Sequence, residues 1–273
     1  MKEIISAITN EMKTLNELVV SLSEDDWLSP TGFKDWSSEL IISHLYYFDL
    51  MTIYSVNKPE KFNEEAQFLF TAFSKEQKSL KRAMIILERL KTSGRKELID
   101  GWLRSNDLMC EIFVKTDPKT RCKWFGPDMG ARMFMTARYM EIWSHAQAIY
   151  DLKGETRIYN DDIKNIVNIG IKTFEWTYIN RKLEVPKQKP YIVLNSPSNK
   201  QWEWNEPSED NSIYGLASDF CHVVTQNRNV LDTKLEVTGS IANHWMSIAQ
   251  CFAGDPENPV SYTHLTLPTI LLV

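Results

Sequence analysis

Cysteine is scarce in this chain. The four present among 273 residues, Cys110, Cys122, Cys221 and Cys251, form neither a CxxC pair nor the spacing of a disulfide framework. Thiols in a reducing cytoplasm are the expectation. Long apolar runs are absent as well. No stretch reaches the about 20 residues that a membrane-spanning helix requires, so no membrane partner is expected. Glu3, Glu11 and Glu17 interrupt the apolar positions of the N-terminal segment, which reads as an amphipathic helix and lacks the core of a signal peptide. Positive charge is not in excess. The net charge of −5 gives nucleic acid no bulk electrostatic attraction, although a specific contact with RNA, tRNA included, is left open. No glycine-rich phosphate cradle and no Ser-His-Asp arrangement can be assigned.

What is present is an ordinary globular composition, 43% hydrophobic and 11% aromatic, in a chain long enough for two domains. Residues 1–182 carry a helical pattern. Ile4, Ile5, Ile8, Met12, Leu15, Leu18, Val19 and Leu22 recur at three- and four-residue spacing. Ser23-Glu24-Asp25-Asp26 restarts the chain with capping residues. A helix opening at Ser37 runs to about Val56, where Lys58-Pro59 breaks it. A long polar helical stretch follows from Glu60 to Leu90, another helix from Lys96 to about Val114, and a strong one from Ala131 to Leu152, closed by Lys153-Gly154. A last helix starts at Asp161-Asp162 and ends near Arg181. The pattern predicts a helical bundle with long connections.

Residues 183–190 form a polar, proline-containing linker. Beyond it, strands are expected at Tyr191–Leu194, Gln201–Trp204 and Lys234–Thr238, and helices at Gly215–Gln226 and Ile241–Phe252. Residues 191–256 thus read as a small β-β-α-β-α domain, and the chain as an α+β protein. Residues 260–273 turn abruptly apolar and uncharged. They resemble translated sequencing adaptor, so His264 is set aside as a ligand.

Two separated stretches can be halves of one metal site. His44 lies in the run from Asp35 to Asp49, and Glu141 and His145 lie in the run from Arg138 to His145. Glu141 and His145 are four residues apart, which puts both side chains on one helical face. Two imidazoles and a carboxylate suffice to hold a divalent ion and leave positions open for chemistry. Spacing alone equally describes a hydrogen-bonded surface pair and a core histidine satisfied by a carbonyl.

The run from Trp36 through His44 to Asp49, with Trp124–Met129 leading into Thr136–Gln147, resembles the metal-binding domain of the mycothiol-dependent maleylpyruvate isomerase family, within the DinB/YfiT-like metalloenzyme superfamily. The C-terminal motifs Asp219–Gln226, Val237–Gly239 and Trp245–Gly254 resemble an uncharacterised, largely actinobacterial branch of that group. Its second domain is similar to the one named for wyosine base formation in tRNA. The resemblance implies a DinB-like four-helix bundle in which His44, Glu141 and His145 ligate a divalent metal, zinc first. It implies a small-molecule substrate and a low-molecular-weight thiol that adds to a cis double bond, permits rotation and leaves. The chain's Lys-, Asn- and Ile-rich composition departs from typical members, so mycothiol itself does not follow.

Arg138, three residues before Glu141, is the candidate catalytic residue: it could hold an anionic substrate, pair with Glu141, or be a structural ion-pair partner. Asp49, five residues past His44, reads as a supporting or capping group. Cys221-His222, His244 and Cys251 lack a ligand spacing and read as core or interface. Trp202 and Trp204 alternate with Glu203 and read as core rather than a base-stacking platform. Tyr46, Tyr47 and Phe48 read as packing, one of which could wall the site. Two functions follow: a metal-dependent thiol transferase or isomerase, or a non-catalytic, RNA-associated protein with a structural metal.

Overall fold

A computed structural model describes residues 1–125 and 128–259. The chain divides between Thr156 and Arg157 into two compact units. In the first, helix α1 (Lys2–Ser21) buries the spaced apolar positions Ile4, Ile8, Met12, Leu15 and Val19. The short α2 (Glu24–Leu28) opens on a Ser23–Asp26 capping box. Helix α3 (Ser38–Asn57) starts where the Ser37 hydroxyl accepts from the Leu40 N–H. It stops because Lys58 precedes Pro59, and that proline occupies the first turn of α4 (Pro59–Phe73). Helices α5 (Ser79–Leu90), α6 (Arg95–Lys115) and α7 (Ala131–Lys153) complete the unit. Gly154 closes α7 at a φ of +66°, which a glycine adopts without steric cost.

Helices α1, α3, α6 and α7 form the expected four-helix bundle, with α4 and α5 packed against α3. The packing is uneven. Helix α3 lies mainly along α6 and α7 mainly along α1, while α3 and α7 meet over a short stretch. The α3–α6 approach is close because Gly101 lacks a side chain: a Cβ there would sit 2.8 Å from the Tyr46 ring.

The single helical stretch expected from Glu60 to Leu90 is in fact two helices. Residues 74–78 leave the helical path, and Arg82 compensates by donating to the carbonyls of Glu76 and Phe73 at 2.7 and 3.1 Å. A two-residue ladder, β1 (Arg121–Cys122) against β2 (Met129–Gly130), also lies outside the sequence reading.

The bundle boundary expected at residue 182 moves to 156. Helices α8 (Lys164–Lys172) and α9 (Phe174–Asn180) belong to the second unit, α8 against α10 (Ala217–Val224) and α9 against α11 (Ser240–Ile248). Gly170 lets α8 approach; a Cβ there would meet Val224 at 2.8 Å. Strands β3 (Tyr191–Asn195), β4 (Gln201–Trp204), β5 (Ser212–Leu216) and β6 (Glu236–Thr238) form one sheet in the order β4-β3-β5-β6, with β3 and β5 parallel. The helix expected from Gly215 begins only at Ala217, because Gly215 and Leu216 end strand β5, whose first residues carry no expectation. Trp202 is buried, and the Trp204 indole donates to Asn168 at 3.1 Å, so both rings pack on α8. The architecture is α+β, as expected. The tail at 260–273, with His264, lies outside the described residues.

Candidate metal centre

His44 sits in the second turn of α3, and Glu141 and His145 sit one turn apart on α7. Nε2 of His44 and Nε2 of His145 each stand 3.4 Å from Oε2 of Glu141. One ligand atom from each of the three falls within 4.8 Å of the others. Among the described residues no other group of three His, Cys, Asp or Glu converges in this way. The three sequence candidates for the metal site are therefore brought together from helices 97 residues apart. The site is sheltered but not sealed: the side chains of His145, His44 and Glu141 are 9%, 16% and 27% exposed.

Protonation favours ligation. Burial pushes the His44 imidazole down to about 4 against the opposing pull of Glu141, so its lone pair is available at neutral pH. Burial alone would raise Glu141, but hydrogen bonds to His145 and His44 outweigh it and hold the carboxyl well below the usual range. The centre presents an ionised carboxylate at Glu141, a neutral imidazole at His44 and, beside them, the imidazole of His145.

Aromatic rings enclose it. Trp36 stacks on His145 with centroids 5.8 Å apart, Phe33 meets His145 edge-on at 4.9 Å, and Phe48 lies 4.6 Å from His44. Of the α3 aromatics considered from sequence, Phe48 is the one that walls the centre. Phe33 was not singled out from sequence, and no local pattern marks it. A tight loop delivers it. Lys34 and Asp35 adopt left-handed conformations at φ +52° and +59°, and the Thr31 N–H donates to the Trp36 carbonyl at 2.8 Å. Beyond Phe48, Trp124 and Phe125 extend the aromatic wall at 5.9 and 5.8 Å.

Arg138 is not where a substrate-holding residue belongs. Its side chain is 2% exposed and donates to Oδ1 of Asp49 at 2.9 Å and to the Leu45 carbonyl at 3.3 Å. The candidate catalytic role is corrected accordingly: burial and pairing make Arg138 an interior ion-pair partner of Asp49 and not of Glu141. Asn106 on α6, unmarked in the sequence, donates to Oδ2 of Asp49 at 3.3 Å. The C-terminal candidates do not gather at a metal site. Nε2 of His222 meets the Tyr159 hydroxyl at 2.8 Å, Cys221 and Cys251 are buried, and His244 is exposed beside Tyr178.

The sequence profile of the mycothiol maleylpyruvate isomerase N-terminal domain family matches residues 8–150. The chain belongs to this family. Two uncharacterised proteins of Mycobacterium tuberculosis, from strains CDC 1551 / Oshkosh and ATCC 25618 / H37Rv, are each 28% identical over 252 residues, covering 92% of this chain and 96% of theirs. The crystal structure of the mycothiol-dependent maleylpyruvate isomerase superposes with a TM-score of 0.52 over 81% of this chain and 87% of that one, at 11% identity. A histidine-to-alanine mutant of that enzyme gives 0.51 at 10% identity over the same shares. At such identities the likeness concerns the fold. Within this maleylpyruvate-isomerase-type bundle, the donor set suits a divalent metal: two imidazoles and an ionised carboxylate whose ligand atoms converge. One feature departs from common practice. Nδ1 of both His44 and His145 is buried without a hydrogen-bond partner among the described residues, where a ligating histidine ordinarily donates to a carboxylate or carbonyl. No helix among the described residues is long and apolar enough to cross a membrane.

Proposed function

We propose that this protein is a divalent-metal enzyme of the thiol-dependent isomerase or transferase type, with His44, Glu141 and His145 holding zinc. The observation that carries the reading is the convergence of those three donors within 4.8 Å in a chain of this family. Zinc bound there lowers the pKa of a coordinated water or thiol, so that a nucleophile exists at neutral pH. The chain's own residues supply the rest. His44 and His145 contribute lone pairs, Glu141 contributes the charge that balances the ion, and Phe33, Trp36 and Phe48 keep bulk water from the buried side. The half-exposed rings of Phe48, Trp124 and Phe125 favour a small electrophile with an apolar, conjugated body.

In the second unit, the likeness of the Asp219–Gln226 and Trp245–Gly254 motifs to the wyosine-base-formation domain belongs to the same proposal. It assigns the bundle the chemistry and residues 191–256 an accessory role.

The test is metal analysis of the purified full chain joined to a thiol-transfer assay. One zinc per chain is expected, lost in His44→Ala and His145→Ala, with thiol-dependent consumption of electrophiles that falls in parallel. Absence of stoichiometric metal, or metal content unchanged in both variants, overturns the reading. Salt-dependent tRNA binding without thiol transfer would select the RNA-associated alternative.

A further inference from the structure

We propose that Arg138 and Asp49 are positioning residues for the metal centre: their buried ion pair fixes the register between α3 and α7 on which convergence of the three ligands depends. The inference rests on the metal reading above and adds to it the device that holds the ligands in place.

The first support is where the pair lies. Asp49 is five residues beyond His44 on α3, and Arg138 is three residues before Glu141 on α7. Through one nitrogen, Nη2, Arg138 reaches both the Asp49 carboxylate at 2.9 Å and the carbonyl of Leu45 at 3.3 Å. Leu45 is the residue next to His44. Arg138 thus grips α3 at two points that bracket the turn following the histidine. Sliding either helix along the other by one residue, about 1.5 Å, would break both contacts and separate His44 from Glu141 together.

The second support is how little else joins these helices. Helix α3 packs mainly on α6, and α7 mainly on α1. The ligands therefore straddle the thinner seam of the bundle. Asn106 extends the link to α6 by donating to the other oxygen of Asp49, so the carboxylate is fixed from two helices.

The third support is energetic. A fully buried ion pair is a poor route to stability, because desolvation offsets the Coulombic gain and an apolar pair often serves as well. This one is also incompletely satisfied: Nε of Arg138 is buried without a hydrogen-bond partner among the described residues. Such a pair makes sense where it specifies geometry. The centre needs that help, since neither imidazole is oriented by an acceptor at its Nδ1 among the described residues.

The experiment uses the full chain with Arg138→Met/Asp49→Leu, which removes both charges at once, and the isosteric Asp49→Asn. Zinc affinity is read by chelator competition, coordination geometry by the visible spectrum of the cobalt(II)-substituted protein, and folding by circular dichroism. Variants that keep the parent's circular dichroism should bind zinc more weakly by about 10- to 100-fold, with an altered cobalt spectrum. Affinity within about threefold of the parent and an unchanged cobalt spectrum in either folded variant would overturn the positioning role while leaving the metal reading intact. If the parent binds neither ion, the metal reading falls and takes this inference with it.

Discussion

At the scale of single residues, the centre shows what spacing can and cannot reveal. Glu141 and His145 are legible as a same-face pair because a helix repeats every 3.6 residues. Their meeting with His44 is not, since nothing local encodes a contact 97 residues distant; the family motif united them. Arg138 was visible as a functional candidate, but its partner was not, because a charge on a helix face can pair with any carboxylate that packing brings near. Burial of His44 carries a pH consequence. With its imidazole pushed down to about 4, protons compete for the lone pair less well than at a free histidine, which titrates near 6.5. Zinc should therefore stay bound on acidification to about pH 6 and leave only below it, checked by metal content after dialysis across that range. Release already at pH 7 would contradict the buried, neutral imidazole.

At the scale of elements, α1, α3 and α7 were readable because apolar spacing, caps and breakers agree within each. Elsewhere such cues ran out. The polar residues 74–78 hold no glycine or proline, so the break between α4 and α5 left no mark in the sequence. Helices α8 and α9 are amphipathic and could have buried their faces in either unit, so their assignment to the second depended on what lay opposite.

The junction of α3, α4 and α5 is made by a buried carboxylate that sequence reading passed over. Glu65 on α4 accepts from the Tyr47 hydroxyl at 2.7 Å, from Arg89 at 2.9 and 3.1 Å, and pairs with Lys61 at 3.0 Å. Burial raises its pKa, but these bonds outweigh that and bring it down to about 2. The sign follows directly. The unfolded chain takes up the proton first as pH falls, so the stabilisation is complete above about pH 4.5 and is lost between 4.5 and 2. Roughly 3 kcal/mol is at stake. Urea unfolding of the parent against Glu65→Gln should show a stability gap at pH 6 that shrinks steadily below pH 4.5 and is largely gone by about pH 2. Glu65→Ala should cost about 1–3 kcal/mol at pH 7, because the buried Tyr47 hydroxyl and Arg89 lose their shared acceptor. Tyr47→Phe should cost only about 1 kcal/mol.

At the scale of the whole molecule, two compact units share one chain and the candidate ligands all belong to the first. Zinc at about 100 times its Kd should stabilise that unit by about 2.7 kcal/mol. Calorimetry with and without a chelator should move the transition of the bundle and leave that of the second unit in place. A shift of both, or of neither, would not fit a centre confined to the bundle. The separation of His44 and Glu141 along the chain gives the ion a further role. Glu141 and His145 can share a metal in an otherwise unfolded chain, whereas the third donor arrives only after a loop of 97 residues has closed. On a chain-entropy account, cross-linking a loop that long is worth about 4–5 kcal/mol. An ion held there would thus act as a removable cross-link between α3 and α7, withholding conformational freedom from the chain for as long as it stayed.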